Sequence, residues 1–359
     1  MKKIIVVIVG ILLFIPNNVK AISTSATSSI LMDIDSNRIL YSNNIHDVRS
    51  VASISKVMTA ILAIESGKLD KKVVIGDEID KAYGSGIYIK KGEELTLRDL
   101  VYGLMLRSGN DAALAIATFV SGDTDSFVKL MNKKAKELNM NNSTFNNPSG
   151  LDEDKGNYSS AYDMAVLMSY AYHNKEFRKI TGTKKYTLKT NMNTYIWHNK
   201  NKLLNSYKYT TGGKTGFTKI ARRTLVTTAS KNNLNLVVVT LNDGNDWDDH
   251  KKLFEYGFNN YKSYQILDKN NFKVNDDKYY KKYKLYIKNS YNYPIESGEE
   301  QNILVKISLE KKRKIKNNMN VGEAIIYLSD KKIHSEKIYV KTTTDSFFKN
   351  ISEWINNIW

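Results

Sequence analysis

The feature that most constrains this chain is a serine followed three residues later by a lysine, at the start of a strongly apolar segment. Ser53 and Lys56 open residues 53–66, which have the composition of a buried helix and end before Gly67. On a helix, residues three apart share a face, so the lysine amine can reach the serine hydroxyl. The spacing therefore predicts a largely apolar helix whose first turn carries a hydroxyl and an amine side by side.

A serine hydroxyl is a poor nucleophile until a base takes its proton. Lys56 can do so at neutral pH only if its amine is neutral, and burial or a second cation would lower its pKa. Backbone amides at the helix N-terminus would stabilise an oxyanion beside Ser53. Ser53 is thus the candidate nucleophile and Lys56 the candidate base. The same spacing recurs in contexts typical of solvated surface pairs, at Ser126, Ser308, Ser329 and Ser346.

A second motif, Ser108-Gly109-Asn110, interrupts two predicted helices, 96–107 and 112–120. At such a break side chains can point into a cleft. Ser108 could relay a proton, and the Asn110 amide could hold Lys56 and a substrate carbonyl. A simple helix–helix turn would use the same residues as caps, so this motif is informative only together with the others.

A third motif, Lys214-Thr215-Gly216, follows two glycines and precedes a strand-like run. A glycine at this point lets an extended substrate lie close to a strand edge and pair with it. Lys214 and Thr215 offer a cation and a hydroxyl suited to a terminal carboxylate. A plain glycine-rich turn is the alternative interpretation.

Helices and strands alternate irregularly between about residue 29 and residue 261. Thr96 and Asp99 have the spacing of a capping box. Strand signals at both ends of a helical middle predict an antiparallel sheet assembled from distant segments with helices against it, an α+β fold. The predicted elements are a hairpin of 30–35 and 38–41, helices at 126–138, 160–173 and 248–257, and strands at 223–229 and 234–241.

The rest of the chain changes character twice. Residues 263–344 alternate apolar and polar side chains, which predicts a small all-β domain acting as a spacer or binding module. Residues 345–359 predict an amphipathic helix lying on a membrane surface, although the same stripe could dock on its own domain. The apolar face of that helix comprises Phe347, Phe348, Ile351, Trp354, Ile355, Ile358 and Trp359.

Residues 1–21 resemble a secretory signal peptide, with Lys2 and Lys3 before a 12-residue apolar run and a cleavage site at Ala21. The run is short for a bilayer of roughly 30 Å, so cleavage is favoured over anchoring. The net charge of +17 then indicates anionic membrane or cell-wall partners, or a compositional bias, and no nucleic-acid motif is present. With no cysteine there is no thiolate nucleophile, and we expect neither metal nor cofactor.

Taken together and in this order, the motifs resemble those of the serine D-alanyl-D-alanine carboxypeptidases, the low-molecular-mass penicillin-binding proteins. The resemblance implies a β-lactamase/transpeptidase-like catalytic domain over 22–262, followed by the all-β domain and a membrane-attached helix, on the outer face of the cell membrane. The matching stretches are residues 52–59, 108–112, 147–151, 158–165 and 212–218.

The resemblance also implies roles for these residues. Ser53 would be acylated by the penultimate D-alanine of a peptidoglycan stem peptide and by β-lactams, with Lys56 as base and Ser108 as relay. Water would then free the acyl-enzyme. The remaining predicted binding residues, which would hold the substrate, its carboxylate and, with the amide of Ser53, the oxyanion, are Asn110, Lys214, Thr215, Gly216 and Phe217.

Two positions depart from the family pattern. Relatives often have glycine where this chain has Arg222, and an arginine near Asp246, where this chain is acidic. Our hypothesis is that Arg222 or Thr215 compensates in holding the carboxylate.

Other classes of protein remain to be considered. A serine β-lactamase would need a glutamate for deacylation, and no convincing Glu-x-x-Leu-Asn element occurs over 140–180. A non-catalytic penicillin sensor or wall-binding protein could keep the same pocket. A Ser-His-Asp hydrolase is disfavoured, since no Gly-x-Ser-x-Gly elbow is present.

Overall fold

The computed structural model describes residues 22–152, 155–274 and 277–342. The predicted signal peptide (1–21) and the predicted amphipathic helix (345–359) lie outside the described residues. Among the helices that are described, none has the length and apolar character needed to cross a bilayer.

The α-helices of the described chain all lie before residue 261. They are Lys56–Glu65 (α1), Leu97–Arg107 (α2), Asn110–Ser121 (α3), Thr124–Glu137 (α4), Ala161–Tyr172 (α5), Lys175–Gly182 (α6), Leu203–Ser206 (α7) and Asp246–Asn260 (α8). The strands are Ser28–Asp33 (β1), Ile39–Asn43 (β2), Arg49–Ser50 (β3), Lys72–Val74 (β4), Glu94–Thr96 (β5), Tyr158–Ser159 (β6), Lys185–Lys189 (β7), Thr194–His198 (β8), Thr210–Thr218 (β9), Arg222–Lys231 (β10), Leu234–Leu241 (β11), Tyr261–Leu267 (β12), Lys284–Ile287 (β13), Tyr291–Glu296 (β14), Ile303–Leu309 (β15), Asn320–Leu328 (β16) and Lys331–Lys341 (β17).

The N-terminal part of the described chain, residues 22–260, is built on a five-stranded antiparallel sheet with the order β2-β1-β11-β10-β9. Its strands come from both ends of this part, and α1 to α6 lie in the sequence between them. Helix α5 packs on β1 and β11, and α8 packs on β10 and β11. The predicted α+β fold, the predicted hairpin and the pairing of the two predicted strands are confirmed. Strand β9 lies at the edge of this sheet.

The entry into α1 differs from the sequence prediction of a helix over 53–66. Residues Ala52–Ser55 form a 3-10 turn, and the α-helix begins only at Lys56. Ala52 has a φ of 50°, so the chain enters the turn from the left-handed region. Gly150 packs so closely on this turn that an added Cβ would lie 2.1 Å from the Ala52 carbonyl oxygen. Tertiary packing therefore tightens the first turn that sequence alone assigns to the helix.

The break between α2 and α3 follows the prediction. The capping box of Thr96 and Asp99 is complete, with both reciprocal hydrogen bonds present. Helix α2 ends because Ser108 adopts a left-handed conformation with a φ of 66°. The chain restarts as α3 at Asn110, which leaves Ser108 and Asn110 on either side of a sharp turn.

Beyond residue 260 the described chain contains strands and one short 3-10 turn. Strands β13-β17-β16-β15 form one antiparallel sheet, and β12 pairs with β14. Apolar side chains on one face form a separate small core, which includes Val321, Ile326 and Ile338. The predicted all-β character is confirmed. The alternation of apolar and polar residues predicts the β character of this part, and the structure adds the bounds of its strands.

Arg38 of the N-terminal part contacts the all-β part of the chain. Its guanidinium makes two hydrogen bonds to Glu299, at 2.9 and 2.7 Å, and one to the Pro294 carbonyl at 2.6 Å. It also lies over the rings of Tyr261 and Tyr293, at 5.3 and 5.2 Å from their centroids. A planar bidentate pair between aromatic faces is a geometry that arginine, and not lysine, provides.

Candidate active site

Ser53 and Lys56 are held together by the 3-10 turn. In this turn side chains at i and i+3 eclipse one another, so the serine and the lysine stack directly. The Lys56 Nζ donates to the Ser53 Oγ at 3.0 Å. The contact between Ser53 and Lys56 that their spacing predicts is therefore present, although the turn that carries it is a 3-10 turn and not the predicted α-helix.

The Lys56 amine is buried among neutral oxygens. It donates to Asn110 Oδ1 at 2.7 Å and to the Ser149 carbonyl, and no carboxylate contacts it among the described residues. Burial and the charge of Lys200 lower its pKa from 10.5 to about 7, against the opposing charge of Asp111. A large fraction of this amine is therefore neutral at physiological pH, as a general base requires.

The Ser149 carbonyl is a part of the site that sequence reasoning missed. Thr59 of α1 donates to the neighbouring Pro148 carbonyl at 2.7 Å, which fixes this loop against the helix. Gly150 has a φ of 80° and lies directly against the turn that carries the serine. The segment 147–151 stood out in the sequence without a role. A backbone carbonyl has no signature in residue type, so only the fold could locate it.

Ser108 and Asn110 reach the cleft from the break between α2 and α3. Both side chains are buried, being 5% and 3% exposed. The Asn110 amide is oriented at both ends, since its Oδ1 accepts from Lys56 and its Nδ2 donates to the Tyr83 carbonyl at 2.6 Å. The Ser108 Oγ accepts from Lys214 Nζ at 3.0 Å. The two residues therefore face different lysines.

Lys214 comes from strand β9, which begins four residues earlier than the motif. Its amine is buried and also donates to the Thr215 carbonyl at 2.6 Å. Burial, with the charges of Lys56 and Lys200, holds its pKa well below 10.5. Lys214 and Ser108 thus form a second pair of a buried amine and a hydroxyl, like Lys56 and Ser53.

Gly216 brings the edge of β9 against the candidate nucleophile. An added Cβ would lie 2.4 Å from Thr224 Oγ1 and 3.1 Å from the Ser53 backbone nitrogen. The strand can come this close only because the residue has no side chain. The next residue, Phe217, is 62% exposed at the open border of the cleft. A substrate backbone lying along this edge would have the Ser53 hydroxyl beside it.

The structure therefore gathers the predicted residues at one cleft, between the 3-10 turn, the helix break and the β9 edge. No histidine of the described residues makes a hydrogen bond to the side chains of this cleft. His250 is fully buried against Thr227 and Thr240, and burial lowers its pKa to about 3. Arg222, offered from sequence as a carboxylate ligand, has an exposed side chain and a φ of 58°, a backbone conformation that favours glycine.

Both parts of the chain are similar to known proteins. A family model described as D-alanyl-D-alanine carboxypeptidase (peptidase S11) matches residues 15–245, and one described as the C-terminal domain of penicillin-binding protein 5 matches residues 261–346. The chain is 35% identical over 254 residues to D-alanyl-D-alanine carboxypeptidase DacF of Bacillus subtilis, a match covering 68% of this chain and 65% of that protein. It is 32% identical to DacB2 of Mycobacterium tuberculosis, covering 65% of this chain and 82% of the relative.

Among solved structures, penicillin-binding protein 5 of Haemophilus influenzae aligns with 89% of this chain and 97% of its own, with a TM-score of 0.74 and 26% identity. That alignment extends over both parts of the molecule. The motifs, the sheet, the cleft and these matches lead to one assignment: the chain belongs to the peptidase S11 family, the D-alanyl-D-alanine carboxypeptidases.

Proposed function

We propose that this protein is a D-alanyl-D-alanine carboxypeptidase that removes the terminal D-alanine from peptidoglycan stem peptides. The observation that carries the proposal is the 3.0 Å contact between Ser53 Oγ and the amine of Lys56, whose pKa is lowered to about 7. A nucleophile beside a neutral amine can attack an amide carbonyl without histidine.

In the first step the Ser53 Oγ attacks the carbonyl carbon of the penultimate D-alanine, and the Lys56 amine takes the hydroxyl proton. The negative charge that develops on the carbonyl oxygen is stabilised by the backbone amides of Ser53 and Phe217. A Cβ added at Gly216 would lie only 3.1 Å from the Ser53 backbone nitrogen, so strand β9 runs close against the 3-10 turn. This close approach supports an oxyanion site shared by the turn and the strand.

In the second step the C–N bond breaks and the leaving amine of D-alanine needs a proton. The Ser108 hydroxyl delivers it and receives in turn the proton that Lys56 took from Ser53, which returns Lys56 to its neutral form, while Lys214 donates to the Ser108 Oγ at 3.0 Å. Water then attacks the ester carbonyl and Lys56 takes a proton from that water. As the bond between the carbonyl carbon and the Ser53 Oγ breaks, Lys56 returns this proton to the Oγ, which restores the free hydroxyl and the neutral amine. Asn110 keeps Lys56 in place throughout.

The same serine would be acylated by β-lactams, which present a strained amide to the same nucleophile. The protein would act outside the cell, held at the outer face of the membrane by residues 345–359. The apolar stripe of that segment and the signal-like residues 1–21 support this location.

Release of D-alanine from a synthetic pentapeptide ending in D-Ala-D-Ala tests the proposal. The native protein should release it, and Ser53→Ala should not. Ser308→Ala is the matched control, because Ser308 begins another Ser-x-x-Lys but is exposed on β15. If the native protein releases no D-alanine, the proposal is wrong and the hypothesis of a non-catalytic penicillin sensor is favoured.

A serine β-lactamase is the other enzyme from which the proposed carboxypeptidase must be distinguished. No carboxylate contacts Ser53 or Lys56 among the described residues, which favours slow deacylation over rapid hydrolysis of penicillin. Mass spectrometry of the protein mixed with benzylpenicillin should show an adduct that lasts for many minutes. Rapid turnover without an adduct would favour the β-lactamase.

A further inference from the structure

The proposed substrate ends in a carboxylate, and the two lysines of the cleft are poor partners for it. Lys56 and Lys214 are both buried, and both pKa values are lowered. Burial disfavours the charged form of each amine, so a carboxylate gains less from these lysines than from a cation that solvent reaches. An arginine keeps its charge at any working pH and presents a planar set of donors that fits a carboxylate. Strand β10, which pairs with the edge strand β9, supplies such an arginine.

Arg223 lies on β10 directly opposite Phe217 of β9. Two residues further along, Leu225 lies opposite Thr215. Side chains alternate along strands, so Arg223 shares a face with Phe217 and, diagonally, with Thr215. Diagonal neighbours on one face are about 7–8 Å apart, within reach of a long side chain. Arg223 can therefore reach the open border of β9 at the Lys-Thr-Gly motif.

The guanidinium is held on one side and unpartnered on another. Its Nη2 lies 2.5 Å from Asp246 Oδ1, and the group lies over the Trp247 ring at 5.6 Å from the centroid. Asp246 is almost fully buried, while the arginine side chain is 41% exposed. The Nε is buried without any hydrogen-bond partner in the described structure. The exposed portion of the side chain is the part that a carboxylate can approach, while Asp246 and Trp247 hold the rest of the group in place.

We propose that Arg223 anchors the terminal carboxylate of the substrate, together with the Thr215 hydroxyl, while Asp246 and Trp247 position its guanidinium. This inference rests on the proposed carboxypeptidase function and adds its specificity: the site distinguishes a free C-terminal carboxylate from an uncharged end. It replaces the sequence hypothesis about Arg222, which neighbours Arg223 but lies on the other face of the strand, opposite Thr218.

The test compares two peptides that differ only in charge at the C-terminus, one ending in D-Ala-D-Ala and the other in its C-terminal amide. Losing a hydrogen bond between charged groups should lower kcat/KM of Arg223→Ala for the acid roughly 10- to 100-fold. The loss should appear mainly in KM, and kcat/KM for the amide should be unchanged. Arg223→Lys should recover part of the activity on the acid.

Asp246→Asn separates anchoring from folding, because it breaks the ion pair but keeps the arginine. That variant should still prefer the acid to the amide. Equal losses on both peptides in Arg223→Ala and Asp246→Asn would mean a structural role and overturn the proposal. A carboxylate-selective loss in Arg222→Ala and none in Arg223→Ala would overturn it as well.

Equilibrium binding keeps this inference separate from the proposed function. The acid and the amide peptides are titrated calorimetrically into Ser53→Ala and into Ser53→Ala combined with Arg223→Ala. Tighter binding of the acid only where Arg223 is present supports the anchor, even if the native protein releases no D-alanine. Equal binding of the acid by both proteins contradicts it.

Discussion

Lys56 follows Ser53 by one turn of 3-10 helix, and that step places its Nζ 3.0 Å from the serine Oγ. The amine at the end of this side chain is fully buried and has a pKa lowered to about 7. A lysine that is normally protonated up to about pH 10.4 can thereby act as a base under physiological conditions. The predictions below follow from how the cleft maintains that state.

The rate of acylation should rise with pH through about 7. Below that value Lys56 is protonated and cannot accept the serine proton, and above it the neutral amine predominates. Stopped-flow measurement of the acylation rate with a fluorescent penicillin, between pH 5 and 9, should give a single ascending step. A rate that is flat across this range would exclude Lys56 as the base. Ser308→Ala, a change far from the cleft, should give the native curve.

Replacing Lys200 should move that step to higher pH. Its positive charge lowers the pKa of Lys56, so Lys200→Ala lets the amine hold its proton more firmly. Acylation at pH 7 should fall several-fold and recover at pH 9. Lys202→Ala is the matched control, because that lysine is close in sequence but exposed. An unchanged midpoint in Lys200→Ala would show that burial alone sets the basicity.

Asn110→Asp should disable the base by placing a negative charge beside it. The Oδ1 that accepts from Lys56 would then carry a negative charge 2.7 Å from the amine, which stabilises the protonated form. Acylation at pH 7 should fall by roughly 10- to 100-fold and return partly at high pH, since one charged contact is worth about 1.5–3 kcal/mol. Asn146→Asp, at an exposed asparagine nearby, should behave as native. Equal acylation by both variants would contradict the assigned role of Asn110.

Gly216→Ala should push strand β9 away from the turn that carries Ser53. The added methyl would meet Thr224 Oγ1 and the Ser53 backbone nitrogen, so the strand or the turn must shift. Such overpacking costs about 1–3 kcal/mol of unfolding free energy, and the shift should slow acylation as well. Gly244→Ala serves as the control because an added Cβ there meets nothing within 4 Å. Thermal melting and acylation by a fluorescent penicillin read out the two effects.

Local signals in the sequence predicted much of this fold. The Thr96–Asp99 capping box and the runs of apolar and β-branched residues in β10 and β11 are signals carried by a few neighbouring residues, and the structure contains these elements. The 3-10 turn at Ser53 was missed because it depends on Gly150, nearly a hundred residues away. Residue type predicts local structure well, whereas a contact between distant segments has no local signature.

The candidate site shows the same division. Serines, lysines and the asparagine could be named because their side chains carry the chemistry. The Ser149 carbonyl could not, since every residue has one. Arg223 was passed over in favour of Arg222, because only the register of β10 against β9 shows which arginine shares a face with Thr215.

Arg222→Gly should stabilise the protein. Arg222 has a φ of 58°, where an L side chain is strained and glycine is not. Relief of roughly 1–2 kcal/mol of strain outweighs the unfolded-chain entropy that glycine adds, about 0.4–1 kcal/mol, so a net gain of roughly 1 kcal/mol, between limits of about 0 and 1.6 kcal/mol, is expected. That gain corresponds to a rise in Tm of about 2–4 °C for the catalytic part. Arg222→Ala keeps the Cβ and the strain, so it should melt like the native protein. Identical melting of the glycine and alanine variants would mean that the turn absorbs the strain elsewhere.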